Sequence, residues 1–167
     1  MTSTALLLAR SLAAGNRASG QSAPRRYSRQ AAAIGNRAEQ AALKWVKQQY
    51  PEAKHVRWVA NEGGTPGWDI EVTDHAGEVI AFEVKGTSGR AFPNFDLTDG
   101  ELRACHRLGK RYWLLLVADC LGRSPRIQPI ANPSAMFTSH ELKLEPTQYR
   151  VSLALLQGRA SASSSRE

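Results

Sequence analysis

The sequence predicts an α/β fold in which a mixed central β-sheet is flanked by α-helices. Two kinds of segment alternate along the chain: some repeat apolar residues every three or four positions, and others every second position. An unbroken apolar run over 112–117 is typical of a buried central strand. With 167 residues, 42% of them hydrophobic, the chain can form one domain with its own core. Mixing helices with strands in this way favours a sheet covered by helices.

Two helices are predicted from capping signals and apolar spacing. The first covers 36–50: it starts at an asparagine, a preferred N-cap residue, and Glu39 at its third position completes a capping box. The second covers 98–108, where a threonine and Glu101 have the same spacing. Both glutamates are therefore expected at helix starts, where their carboxyl groups can accept hydrogen bonds from the backbone.

Six strands are predicted, over 55–60, 68–72, 78–85, 112–117, 126–130 and 148–153. The second and third flank the turn residues 74–77 and form a hairpin. Because side chains alternate along a strand, each strand has an apolar and a polar face. The apolar face holds Trp68, Ile70, Val72, Ile80, Phe82 and Val84. The opposite face holds Asp69, Glu71, Ala81, Glu83 and Lys85.

The basic character of the chain belongs to its amino-terminal arm. Residues 1–38 contain six arginines, no lysine and no acid, so only +1 of the net charge of +7 belongs to the remainder. Residues 1–30 are interpreted as a disordered or leader-like arm: a solvated tail, a transit peptide, or a segment that binds phosphate backbones. The domain is expected over 31–157, with a flexible tail over 158–167. We expect a cytoplasmic protein, or a mitochondrial matrix protein if residues 1–30 are a transit peptide.

Several classes of function are disfavoured. No apolar run approaches the roughly 20 residues of a membrane-spanning helix, so no membrane partner is expected. Cys105 and Cys120 lack metal-ligand spacing and are expected to be reduced, structural thiols. The four histidines show no zinc-ligand spacing, and the sequence has neither a phosphate-binding loop nor a nucleophile elbow.

The polar face of the hairpin carries the chemistry. With the turn centred near residue 76, Asp69 lies opposite about residue 83, and directly opposed Cβ atoms are about 4.5–5.5 Å apart. Asp69, Glu83 and Lys85 then converge on one face. Two close carboxylates repel each other unless a cation intervenes, and Mg²⁺ or Mn²⁺ bound by oxygen ligands would relieve that repulsion. A lysine beside such an ion can orient or deprotonate water, or stabilise charge on a phosphoryl group.

An Asp followed after thirteen residues by Glu-x-Lys resembles the core of the PD-(D/E)XK phosphodiesterases. More narrowly, the run from residue 34 to about 136 resembles the NO VEIN carboxyl-terminal domain family, a domain of unknown function. The matching stretches are 35–39, 68–70, 82–87, 95–101, 112–117 and 132–133.

The resemblance implies a restriction-endonuclease-like core and a metal-dependent nuclease acting on DNA or RNA. It implies that Asp69 and Glu83 bind Mg²⁺ or Mn²⁺ and that Lys85 is the catalytic lysine. Glu39 would be an accessory acid, and Thr87 and Glu101 lie in family-like stretches with less defined accessory roles. Other superfamily members carry Gln or Lys on the helix where this chain offers Glu101 and Arg103, which leaves the auxiliary role open. Family members are often attached to ATPase or helicase modules, which implies such a partner.

Plainer interpretations stay open beside these. Alternating charges on a strand are usually a solvated face, Glu39 and Glu101 serve equally well as helix caps, and Glu71 is either a third acid or a solvated edge residue. The alternative function is a catalytically inactive nucleic-acid- or protein-binding module, or a structural domain of a larger assembly. The surface charge around the site distinguishes the nuclease from the binding module. Basic residues that form one continuous rim would support a substrate groove, and the candidates are Lys85, Arg90, Arg103, Arg107, Lys110 and Arg111.

Overall fold

Five strands form one mixed sheet in the computed structural model, which describes residues 23–64 and 66–147. They are β1 (His55–Trp58), β2 (Ile70–Thr73), β3 (Val79–Gly86), β4 (Tyr112–Ala118) and β5 (Arg126–Ala131). Their order across the sheet is their order in the chain. Neighbours are antiparallel except β3 and β4, which are parallel and therefore need a crossover connection. The predicted α/β class with a mixed sheet is confirmed.

The described residues also contain three α-helices: α1 (Ala23–Gln49), α2 (Asp99–Leu108) and α3 (Pro133–Thr138). Short 3₁₀ turns cover Ala60–Glu62 and Gly109–Arg111. The α2 helix lies in the crossover between β3 and β4. By its internal contacts the chain divides after Pro133, and the residues discussed below precede that point. No helix in the described ranges has the length and apolarity needed to cross a membrane.

One face of the sheet packs against α1. Ala38, Ala42 and Val46 recur at four-residue spacing on the helix and are fully buried. They share one apolar cluster with Phe82 and Val84 of β3. The predicted apolar face of the hairpin is confirmed for its strand residues: Ile70, Val72, Ile80, Phe82 and Val84. The two cysteines, Cys105 and Cys120, are buried thiols.

The first helix is longer than predicted. It begins at Ala23 and not at residue 36, so the predicted capping box of Asn36 and Glu39 is wrong. Asn36 lies inside α1, where its Oδ1 accepts a hydrogen bond from Gln40 Nε2 at 2.6 Å. The helix can start early because Pro24 is in the first turn, where proline is tolerated, and an alanine run follows at 31–33.

The hairpin register is as predicted, and the bounds of the other strands differ only slightly. Ile70 pairs with Phe82, which brings residue 69 level with residue 83. The turn closes through a bond from Gly77 N–H to the Asp74 carbonyl, with Gly77 in the left-handed region at φ 85°. The first predicted strand ends early because a 3₁₀ turn follows β1. The predicted strand over 148–153 lies outside the described residues.

Two glycines test how closely α1 and β3 pack. A Cβ added at Gly86 would lie 2.7 Å from Ala38 Cβ and 3.2 Å from Ile34 Cγ2, whereas a Cβ at Gly35 meets nothing within 4 Å. We expect Gly86→Ala to lower the free energy of unfolding by about 1–3 kcal/mol. Gly35→Ala, inside the helix, should raise it by about 0.5–1 kcal/mol. Urea unfolding of both variants measures this, and equal effects would contradict the packing described.

Candidate functional site

Four charged side chains predicted as site residues lie close together at the end of the β2–β3 pairing, and together they are called the acidic site: Asp69, Glu83, Lys85 and Glu101. Glu83 and Lys85 are two residues apart on β3, Glu101 is in the first turn of α2, and Asp69 precedes β2. Lys85 Nζ lies 2.8 Å from Glu83 Oε1 and 2.6 Å from Glu101 Oε2. Lys85 thus links the sheet to the helix that covers it.

Asp69 lies where the pairing of β2 with β3 ends. A regular ladder in this register would pair Val84 with residue 68. Instead, the Asp69 carboxylate accepts the hydrogen bond from Val84 N–H, at 2.8 Å from Oδ2. The Asp69 N–H donates to the Phe82 carbonyl at 3.0 Å. The backbone of β3 therefore fixes the orientation of this carboxylate.

Glu83 is the charged residue most withdrawn from water in the described ranges, with 4% of its surface exposed. Burial, and then the nearby charge of Asp69, raise the pKa of Glu83 to about 8 against the opposing effect of Lys85. Burial likewise raises the pKa of Asp69 to about 6, although the bond from Val84 N–H lowers it. A negative charge on Asp69 therefore opposes ionisation of Glu83.

Lys85 is a cation in this environment. Burial alone would lower the pKa of Lys85, but the charge of Glu83 and the hydrogen bonds to Glu101 and Glu83 outweigh burial, so its pKa is raised. An ammonium group held in this state can donate hydrogen bonds and stabilise negative charge. It is a poor base until one of its acid partners is removed or neutralised.

Glu101 has two structural roles. Its N–H donates to Thr98 Oγ1 at 3.3 Å, and Thr98 N–H donates to Glu101 Oε2 at 3.1 Å, which confirms the predicted capping box of the second helix. The same Oε2 accepts from Lys85 Nζ. The cap therefore fixes the carboxylate that holds the lysine.

The remaining predicted acids, Glu39 and Glu71, and Thr87 are bonded to residues outside the acidic site. Glu39 Oε2 accepts a hydrogen bond from Trp58 Nε1 at 2.6 Å, and the charge of Glu39 contributes to the raised pKa of Asp69. Thr87 Oγ1 accepts from Gly89 N–H at 3.1 Å in the loop after β3. Glu71 is bonded to Arg57 at 2.7 Å.

Sequence reasoning missed two residues that position Asp69. Tyr112, at the start of β4, is fully buried and donates from its hydroxyl to the Gly67 carbonyl at 2.9 Å. Burial, and the charges of Glu83 and Glu101, raise the pKa of Tyr112, so the phenol stays protonated. Gly67 has φ 98°, and a Cβ there would lie 2.7 Å from the Gly100 carbonyl oxygen. The loop before Asp69 is thus held between β4 and α2.

Trp68 lies on the polar side, so its predicted place beside Ile70 and Val72 is wrong. Its Nε1 donates to Glu71 Oε2 at 3.1 Å, and the Arg107 guanidinium lies 5.8 Å from the ring centre. Regular strand alternation begins only at Ile70, because the ladder is irregular at Asp69.

The basic rim proposed from the sequence is partly formed. Arg103 and Arg107 lie one turn apart on α2, and Lys110 and Arg111 follow in the next turn. All four are exposed. Arg103 pairs with Asp99 and Arg111 with Glu78. Arg90 is in a different segment, where its carbonyl accepts a bond from Arg126.

The carboxylate oxygens of the acidic site are the available cation ligands. Over 23–64 and 66–147, no group of three or more His, Cys, Asp or Glu side chains is arranged to hold a metal ion. Asp69 and Glu83 contribute two carboxylates, and the third, from Glu101, is bound to Lys85. Two hard oxygen donors with substrate and water are a common ligand set for Mg²⁺.

The raised pKa of Glu83 predicts how stability depends on pH. The folded protein keeps this proton up to about pH 8, whereas the ordinary pKa is 4.5, so folding takes up a proton between these values. The free energy of unfolding should therefore fall as the pH rises from about 4.5 to 8. The change should amount to a few kcal/mol at most, at about 1.4 kcal/mol for each pKa unit.

Urea unfolding in EDTA at pH 5.5 and 8.0 measures this change. Glu83→Gln should lose most of the pH dependence. Glu62→Gln, which alters a half-exposed acid paired with Arg57, should keep it. A wild-type protein that becomes more stable across this range would contradict the raised pKa.

Comparison with known proteins identifies the family. The family model described as "Protein NO VEIN, C-terminal" matches residues 38–130, a range that includes Asp69, Glu83, Lys85 and Glu101. A search of curated proteins and a search of solved structures found no similar protein. The resemblance to the NO VEIN carboxyl-terminal domain family that was predicted from the sequence is confirmed. Because the match spans more than half of the 167 residues, the chain belongs to the Protein NO VEIN C-terminal domain family.

Proposed function

We propose that this domain is a metal-dependent phosphodiesterase that hydrolyses nucleic acid, with a restriction-endonuclease-like core of the PD-(D/E)XK superfamily. The observation that carries the proposal is the environment of Glu83. This carboxyl group is almost fully buried, is close enough to Asp69 for its pKa to rise, and contacts Lys85 at 2.8 Å. An acid pair beside a lysine is the arrangement that the resemblance to the PD-(D/E)XK phosphodiesterases implies.

The charge balance of the acidic site supports a divalent cation. Three carboxyl groups surround one ammonium group, so the site carries surplus negative charge when all of them are ionised. Burial is the main cause of the raised pKa values of Asp69 and Glu83, and the charges of neighbouring acids raise them further. Asp69 and Glu83 would hold Mg²⁺ or Mn²⁺, which polarises a phosphoryl oxygen and lowers the pKa of bound water.

The protein's own groups then position the reaction. The bond from Val84 N–H orients the Asp69 carboxylate toward the sheet, and Tyr112 anchors the loop before it through the Gly67 carbonyl. Glu101 holds the Lys85 ammonium group beside Glu83. As a cation, Lys85 donates hydrogen bonds to water or to a phosphoryl oxygen and stabilises developing negative charge.

A binding module without catalysis is the second candidate, and the contacts of Lys85 favour it. The ammonium group already bonds to two acids at 2.8 and 2.6 Å, as a purely structural ion network would. Glu39 and Thr87 are accessory residues if the domain is a nuclease, and they have only local structural roles if it is a binding module. An ATPase or helicase partner stays a prediction in both.

Nuclease assays separate the two candidates. Wild-type protein should cleave single-stranded DNA, plasmid DNA or RNA with Mg²⁺ or Mn²⁺ and not with EDTA. Asp69→Asn, Glu83→Gln and Lys85→Met should each reduce the rate at least a hundredfold, because removing one electrostatic catalytic group typically has this effect. Asp99→Asn, an exposed acid paired with Arg103, is the control and should keep full activity. Equal activity in all variants would trace cleavage to a contaminant.

Metal binding gives a readout that is independent of catalysis. Mg²⁺ or Mn²⁺ at a hundred times its dissociation constant should stabilise the folded protein by about 2.7 kcal/mol. Thermal unfolding with and without the ion measures this as a rise in Tm. The rise should vanish in Asp69→Asn and persist in Asp99→Asn. No rise for folded wild-type protein at 10 mM of either ion would favour the binding module.

A further inference from the structure

We propose that Trp68 and Arg107 form a stacking site for an unpaired nucleobase, which makes single-stranded nucleic acid the substrate class of the acidic site. The assignment of a substrate rests on the proposed function. The stacking site itself is a binding surface and can be tested without catalysis. Trp68 and Arg107 together are called the stacking pair.

Trp68 is held at the surface and is not part of the main core. It is only partly buried, and the apolar cluster against α1 does not include it among the described residues. Its Nε1 donates to Glu71 Oε2, which fixes one edge of the indole ring. Glu71 is itself paired with Arg57, which also pairs with Glu62, so the guanidinium offsets part of the Glu71 charge. A fixed, partly exposed indole needs little ordering before a base stacks on it.

Arg107 adds a cation to this aromatic surface. Its guanidinium lies 5.8 Å from the centre of the Trp68 ring, near the outer limit of about 6 Å for a cation–π contact, and the residue is exposed. At this distance the Arg107 guanidinium can shift relative to the Trp68 ring when a base binds. A base can stack on the indole or on the planar guanidinium, since both groups serve as stacking surfaces for unpaired bases.

The position of the stacking pair connects it to the acidic site. Trp68 immediately precedes Asp69, and Arg107 is on α2, whose first turn carries Glu101. Exposed basic residues lie on α2 and on the 3₁₀ turn that follows it: Arg103, Arg107, Lys110 and Arg111. The positive charge of this series is complementary to the negative charge of a phosphate backbone. A strand that follows it would pass the stacking pair beside the acidic site.

Single strands fit these features better than duplexes or acidic peptides. In a duplex the faces of the bases are covered by their neighbours, so an aromatic side chain reaches them only where the strand is unpaired. An acidic peptide would use the basic residues but would leave the indole without a role. A cation beside an aromatic ring along a basic track is the usual combination in proteins that bind single strands.

The test is equilibrium binding of fluorescent oligonucleotides in EDTA, where no cleavage occurs. Wild-type protein should bind a twelve-residue oligothymidylate, and Trp68→Leu should weaken binding about tenfold, because a stacked base contributes about 1–3 kcal/mol. Trp68→Phe should retain most of the affinity. Arg107→Gln should weaken binding and reduce the salt dependence, whereas Trp68→Leu should leave the salt dependence unchanged.

Two controls isolate stacking from charge. Arg103→Gln removes an exposed cation one turn away that is paired with Asp99, and it should have a smaller effect than Arg107→Gln. An oligomer of the same length with abasic sites keeps the phosphates and removes the bases. It should bind wild-type protein about tenfold more weakly than oligothymidylate, and it should bind Trp68→Leu as it binds wild type.

Specific outcomes would overturn the stacking site. These are equal affinity of wild-type protein for the normal and abasic oligomers, tighter binding of duplex, or equal competition by polyglutamate. If Trp68→Leu fails to fold, the abasic comparison on wild-type protein and the exposed Arg107→Gln variant still decide the matter. Base-dependent binding without metal-dependent cleavage would overturn only the proposed nuclease and leave the stacking site standing.

Discussion

The rest of the structure depends on the ion contacts of Lys85. Its ammonium group joins Glu83 on β3 to Glu101 on α2, and it makes the burial of Glu83 tolerable. A buried, unpaired carboxylate would cost several kcal/mol. The parallel pairing of β3 with β4 requires a crossover, and the capping box that starts α2 places Glu101 on that crossover. The strand order, the start of α2 and the ion contacts of Lys85 therefore all serve one constraint, which is that the buried Glu83 needs a charged partner.

The buried acids of the acidic site are not the side chains that stability alone would favour at these positions. Asp69 and Glu83 are close and desolvated, and both hold protons more tightly than ordinary carboxyl groups. Apolar side chains of the same volume would often be as stable as a buried ion network. Strongly shifted groups of this kind cluster at functional sites, although structural ion networks shift pKa values too. The core against α1, by contrast, follows ordinary apolar packing.

The sequence was most informative where local rules govern. A glycine-ended turn set the hairpin register, which placed Asp69 level with Glu83, and the capping pair marked the start of α2 correctly. It failed where distant residues decide. Asn36 has the chemistry of a cap but lies inside α1, because nothing before it stops the helix. The side occupied by Trp68 depends on an irregular ladder, and the anchoring of Gly67 by Tyr112 spans 45 residues, so neither follows from alternation or spacing.

Hydrogen bonding explains why the site has polar acceptors at these positions. It does not explain why the acceptors are acids and not neutral amides. A capping box accepts glutamine as well as glutamate at its third position, so the cap alone does not require the charge of Glu101. The Val84 N–H needs only an acceptor, which asparagine would also provide in place of Asp69. Lys85 can balance one carboxylate, yet three surround it. When all three are ionised, the fold itself leaves negative charge unbalanced, and the divalent cation proposed above would offset it.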